Sequence, residues 1–365
     1  MMGDKESTEI LTLADDTTIV PQVNQARYEY LKTTATRIIP YEFTRASYTA
    51  QVLTLLSILF KDKYTITQTL SASFDKSTYV LKAKEKKSGD DKVIKALVTQ
   101  SFYSPQDIEI KKKRFRAEAD ITYGLGSMLH GQGVVKVTDT GTKYPTRYPA
   151  FQRAVRKGRF PVAIPYFVTE YVGGGDLEKL TITNVSLKER ITVARKIAEP
   201  LAFIHENYNL VHRDIKPSNV VLTKNNEPKI IDFGTYEVIG KREMKTEAGT
   251  IPYFSPTQAA GAIAAREGKT MPEHTPRTDI YTLALVLGDI QFWDHPKNPV
   301  QQIECKYKTE IAYCEYIASD PAIEFPSSGN AEFDDILHRA VSNKSDRFKS
   351  MKEFAKALLA LECKL

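Results

Sequence analysis

Cysteine is scarce in this chain: Cys305, Cys314 and Cys363 are the three among 365 residues. Their wide spacing fits neither a zinc-ligand pattern nor a disulfide framework, so a reducing, cytoplasmic compartment is expected. Long apolar runs are missing as well. No stretch of about 18 consecutive apolar residues occurs, so no transmembrane segment is expected. Residues 1–25 lack the apolar core of a secretory signal and show no periodicity, which reads as a disordered polar tail. Met2-Gly3 followed by Ser7 formally fits a myristoylation pattern, but Met1 precedes it and acidic Asp4 adjoins the glycine. No internal repeat is present.

The composition, 42% hydrophobic and 26% charged, is that of an ordinary globular protein, and the length allows two lobes with an apolar core. The net charge of +6 is a mild excess, significant for partners only where it clusters. Between Thr44 and Phe60, apolar residues at Tyr48, Val52, Leu55, Leu56 and Leu59 share one helical face. Such a face either packs on its own domain or docks a partner. Three β-type runs follow: Tyr64–Leu70, Thr78–Ala83 and Lys92–Val98. Ser104, Pro105 and Asp107 then open a helix expected to run to about Tyr123, ahead of Gly124. From Ser186 onward the pattern is mostly helical, apart from short β-type runs at Val220–Thr223 and Lys229–Ile231.

The chemistry is concentrated in His212-Arg213-Asp214-Ile215-Lys216-Pro217-Ser218-Asn219, followed by Asp232-Phe233-Gly234. Phosphoryl transfer asks for a carboxylate to take a hydroxyl proton, cations to offset developing charge, and ligands to hold those cations. Asp214 suits the first role, as catalytic base, and Lys216 the second. Asn219 and Asp232 offer the hard oxygen donors that magnesium prefers.

These motifs resemble the catalytic loop and magnesium motif of the eukaryotic-type (Hanks-type) Ser/Thr protein kinases. The resemblance implies an α+β, bilobal fold with a small antiparallel β lobe carrying one key helix and a larger, mainly helical lobe. It implies transfer of the γ-phosphoryl of ATP, with Mg2+, to protein hydroxyls. The domains expected are the tail 1–25, an N-terminal helical extension 26–60, an N-lobe 61–172 and a C-lobe 173–365. By the same resemblance Lys95 holds the α- and β-phosphates and Glu118 orients it. Thr169 is the gatekeeper, the Glu170 and Val172 backbones meet adenine, and Asp176 meets the ribose. Leu70 and Val221 complete the nucleotide site. Gly249–Pro256 resembles the end of an activation segment, Asp279–Leu283 the start of a long central helix, and Asp346–Met351 a closing motif. Arg213 is the basic residue that a phosphorylated activation loop satisfies, with Thr246 as the favoured phosphosite.

Two departures from the pattern stand out. The aligned nucleotide loop, Ser71-Ala72-Ser73-Phe74-Asp75-Lys76, has no glycine, although glycine is what lets backbone N–H groups approach phosphates. Ser71, Ser73 and Lys76 stand where the family has glycines. Thr257 replaces the glutamate that ordinarily pairs with the arginine matching Arg347, so Arg347 needs another partner or water. An insert at 143–160 carries Lys143, Arg147, Arg153, Arg156, Lys157 and Arg159 with no acid. It suits an anionic partner, or is a solvated loop. An active kinase with protein substrates is expected. The alternative is a pseudokinase binding scaffold with a degenerate loop. A small-molecule kinase, or a nucleic-acid binder built on 143–160, accounts for less of the pattern.

Overall fold

A computed structural model describes residues 45–365 except 74–76, 101–102, 183–184, 241–248, 308 and 343–346. The tail 1–25, the extension as far as Thr44, Lys76, Thr246 and Asp346 lie outside the described residues.

In chain order the elements begin with helix α1 (Arg45–Phe60) and strands β1 (Tyr64–Ser73), β2 (Thr78–Glu85) and β3 (Asp91–Leu97). Helix α2 (Pro105–Met128) precedes β4 (Gly133–Val134), β5 (Val137–Lys143), α3 (Pro149–Arg156) and β6 (Ile164–Glu170). Next come α4 (Lys179–Ile182), α5 (Leu187–Tyr208), and short strands β7 (Leu210–Val211), β8 (Val220–Leu222), β9 (Pro228–Ile230) and β10 (Glu237–Val238). The remainder is helical: α6 (Pro256–Arg266), α7 (Pro276–Gln291), α8 (Pro299–Lys306), α9 (Glu310–Ala318), α10 (Ala331–Val341) and α11 (Met351–Glu362). Among the described residues no helix is long and apolar enough to cross a membrane.

Two compact units result. One gathers the described residues up to Arg116 with Val137–Tyr171; the other gathers Ala117–Lys136 with Val172–Leu365. The division falls inside α2, so residues 117–136 group with the second unit.

The first unit is built on a five-stranded sheet in the order β1-β2-β3-β6-β5, with every pairing antiparallel. Helix α1 supplies Val52, Leu55, Leu56 and Leu59, all fully buried, to the same core as Leu81, Ile94, Ile164 and Val168 from the sheet. Each such side chain contributes about 1.5–3 kcal/mol on burial. The apolar face of α1 is therefore spent on its own unit. The basic insert is not a loop: Pro149 opens α3, and Phe151, Val155 and Phe160 turn inward. The Phe160 ring lies 6.1 Å, centroid to centroid, from Phe151, edge to face, and from Tyr48 of α1, tilted. Its cations Arg147, Arg153, Arg156 and Lys157 remain on the outside.

In the second unit α7 is buried all along, from Thr278 to Ile290, as a central helix must be. Helices α5, α10 and α11 share its core. Ser104 caps α2 as expected, its hydroxyl accepting from the Asp107 N–H at 3.1 Å. The helix nonetheless passes Gly124 and ends five residues beyond the expected Tyr123. Gly126 is used for close approach: a Cβ there would stand 2.8 Å from the Val135 carbonyl oxygen.

Candidate active site

Two side chains of the loop between β7 and β8 and one from downstream meet on one carboxylate. Asn219 Nδ2 donates to Asp214 Oδ2 at 2.9 Å and to the Asp214 carbonyl at 2.8 Å. Lys216 Nζ stands 3.2 Å from Oδ2. The third contact was not assigned from the sequence. Thr250 donates to Asp214 Oδ1 at 2.7 Å and accepts from Lys216 Nζ at 2.6 Å. A hydroxyl is needed there because it can do both at once.

The loop is held from below by Asp279, at the start of α7. Its carboxylate accepts from the backbone N–H groups of His212 and Arg213, both at 2.8 Å, and from His205 Nε2 at 2.8 Å. Arg213 takes a φ of +70°, a conformation disfavoured for a side-chain-bearing residue, so this double grip has something to oppose.

Asp232 also has positive φ, +63°, and its Oδ1 accepts from the Gly234 N–H at 3.3 Å. A Cβ on Gly234 would stand 3.1 Å from Asp232 Oδ1 and 3.2 Å from Glu118 Oε2. Glu118, almost fully buried, thus lies beside the Asp232 turn. Asp176 and Val221 face each other in an isolated antiparallel bridge. Val172, partly buried, opens the second unit's share of that stretch.

In the first unit, Lys95 sits on β3 opposite Val80 and Phe167, its ammonium 6.0 Å from the Phe167 ring centroid. Thr169 is buried on β6 opposite Val93, and Glu170 follows opposite Lys92. Leu70 is 42% exposed at an irregularity in β1. Ser71 and Ser73 depart from expectation: they are strand, paired with Val80 and Thr78, so the glycine-free stretch extends β1 as far as Ser73. Among the described residues of this hairpin Ser77 is left-handed, at φ +61°, and fully buried, with its hydroxyl on Gln100 Oε1 at 3.0 Å.

Two charges find unforeseen partners. Arg213 Nη1 donates to Glu237 Oε2 at 2.6 Å, so the guanidinium assigned to a loop phosphate is met by a carboxylate of its own unit. Arg347, left without the usual glutamate by Thr257, has Asp320 at 3.6 Å. His274 lies 4.0 Å from Glu237, and burial, reinforced by Arg213, pushes its imidazole down to about 3. A histidine kept neutral in the fold stabilises it fully above the ordinary value of about 6.5. As pH falls below that, the unfolded chain takes up a proton that the fold refuses, and stability drops. The unfolding midpoint is therefore expected to fall between pH 7 and pH 5 in the wild type and less in His274→Gln. Parallel profiles would remove His274 from this role.

A family model for the protein kinase domain matches residues 76–360, more than half of the chain. The chain belongs to the protein kinase domain family. The kinase domain is 28% identical to serine/threonine-protein kinase PknB of Mycolicibacterium smegmatis, over 67% of this chain and 35% of that protein. It is 33% identical to a probable serine/threonine-protein kinase of Streptomyces coelicolor, over 48% of this chain and 23% of that one. It is 29% identical to U-box domain-containing protein 33 of Arabidopsis thaliana, over 45% of this chain and 21% of that one. The chain thus spans about a third or less of the length of these relatives. The resemblance to Hanks-type Ser/Thr kinases, and the α+β kinase fold it implied, are borne out.

Proposed function

We propose that the chain transfers the γ-phosphoryl group of Mg-ATP to serine or threonine hydroxyls of proteins, with Asp214 accepting the hydroxyl proton. The observation that carries this reading is the convergence of Asn219, Lys216 and Thr250 on the Asp214 carboxylate. A base in phosphoryl transfer has to be aimed, and three donors on two oxygens fix its plane. Lys216, bound to both Asp214 and Thr250, is assigned the offset of charge on the transferred group.

The donor chemistry suits magnesium. Asn219 spends its amide nitrogen on Asp214, which leaves its oxygen for a metal, and Asp232 adds a carboxylate. When bound, the metal neutralises charge on the phosphate oxygens. Lys95 is assigned to the α- and β-phosphates, with adenine at the Glu170 and Val172 backbones and ribose at Asp176. Both SerThr-kinase naming among the relatives and the Lys216 variant of the catalytic loop favour protein hydroxyls as acceptors.

The other reading, a scaffold that binds without turnover, is not favoured by relatives that are named as kinases. Labelled γ-phosphate transfer to a Ser/Thr-rich acceptor protein separates the two. The kinase reading expects magnesium-dependent transfer by the wild type and a drop of about 10²–10³-fold in Lys95→Met at an unchanged unfolding midpoint. No transfer by the wild type supports the scaffold. Equal transfer by Lys95→Met removes Lys95 from the nucleotide site.

A further inference from the structure

Behind the Asp214 carboxylate three stretches of backbone meet, and one side chain joins them. Resting on the kinase reading above, we propose that Gln258 is a positioning residue that holds the catalytic loop through the carbonyl of Arg213. Gln258 Nε2 donates to that carbonyl at 2.7 Å. The Oε1 of the same amide accepts from the Ser255 N–H at 3.1 Å and from its hydroxyl at 3.2 Å. Ser255 Oγ in turn accepts from the Gln258 N–H at 3.3 Å, completing the capping box that starts α6. Gln258 is 3% exposed and Ser255 2%, so water does not compete for these groups.

The capping box needs an acceptor at this third helical position, and glutamate serves there as well as glutamine. The amide nitrogen is therefore surplus to the cap. It goes instead to a carbonyl one residue before the proton acceptor, on the residue with φ +70°. Asp279 holds the N–H of Arg213 and Gln258 holds its carbonyl, so the residue that leads into Asp214 is held through the peptides on both its sides. The third stretch of backbone, at Gly249, is packed just as tightly. Gly249 has φ +125°, and a Cβ there would come within 2.5 Å of Gln258 Nε2 and 2.9 Å of the Arg213 carbonyl oxygen. Its neighbour Thr250 is the residue that bonds Asp214 Oδ1. A shift of Gln258 would thus reach the carboxylate by two routes.

Gln258→Glu tests this, because it keeps the length and the capping acceptor while replacing the donor with an oxygen that faces the Arg213 carbonyl. Gln258→Met removes the donor without adding a charge but also removes the capping acceptor, so it is read against Ser255→Ala, which weakens the cap alone, if the glutamate variant does not fold. Each is expected to lower kcat about ten- to a hundredfold, with KM for ATP within about twofold of wild type. Amide exchange at Arg213 and Asp214 should quicken. Ser255→Ala is expected to do the opposite: a lower unfolding midpoint with kcat retained. Wild-type kcat and unchanged exchange in a folded Gln258 variant overturn the proposal, as does an equal kcat loss in Ser255→Ala. If the wild type itself transfers no phosphate, the kinase reading falls, and the exchange comparison still decides whether Gln258 holds the loop.

Discussion

Asp214→Asn is expected to lower kcat by about 10²–10⁴-fold, the contribution of a positioned proton acceptor, while leaving the unfolding midpoint near that of the wild type. The second half of the expectation follows from the donors around the carboxylate. Oδ2 receives Asn219 Nδ2 and Lys216 Nζ, whereas Oδ1 receives a hydroxyl, that of Thr250. An asparagine can turn its oxygen toward the two nitrogen donors and its NH₂ toward Thr250. The hydroxyl then accepts where it had donated. The hydrogen bonds survive and the basicity is lost. Turnover of the variant in the γ-phosphate assay, read beside its thermal unfolding, checks both halves. Transfer within about threefold of wild type would mean that the hydroxyl proton leaves by another route, since a general base is worth far more than that.

Asp214, Lys216 and Asn219 were legible because they fall within six residues of one another, and a single loop brings them together. The residues that hold them were not. Thr250 and Asp279 are distant in the chain, and a threonine or aspartate in a helical or loop context has many bland uses. Glu237 was hidden in the same way: the carboxylate that meets Arg213 sits on a two-residue strand without any local signature. Burial pushes its carboxyl up, against the pull of Arg213, which is a property of the packed state alone. The insert 143–160 was obscured by its own charge. Six cations dominated the reading, while the spacing of Phe151 and Val155, which fixes α3, was carried by two residues. Glycine misled in both directions. Gly124 and Gly126 both lie inside α2, where Gly126 serves close approach and Gly124 has open space beside it, while Ser77, just ahead of β2, takes a left-handed conformation. Serine carries no marker for that conformation, so only the backbone reveals it.

The largest expected loss of stability belongs to Asp279→Ala. Asp279 is fully buried, and its two oxygens take three donors: the N–H groups of His212 and Arg213 and the Nε2 of His205. Truncation strands all three in a dry interior, which costs about 3–5 kcal/mol. It also frees the Arg213 peptide to leave its positive φ. Urea unfolding should show that loss, with kcat falling alongside because the loop that carries Asp214 is no longer held. The pH dependence identifies the cause. Burial pushes the Asp279 carboxyl up, but the hydrogen bond and charge of His205 and the contact with His212 outweigh it and hold the group below its ordinary value. A carboxylate depressed in the fold stabilises it fully above the unfolded value of about 3.9. That contribution fades as pH falls from there toward the folded value, where the native state too must take a proton. The stability gap between wild type and Asp279→Ala should therefore stay constant above about pH 5 and narrow below pH ~4. A gap that remains constant into acid would mean that lost packing, not the charged anchor, accounts for the destabilisation.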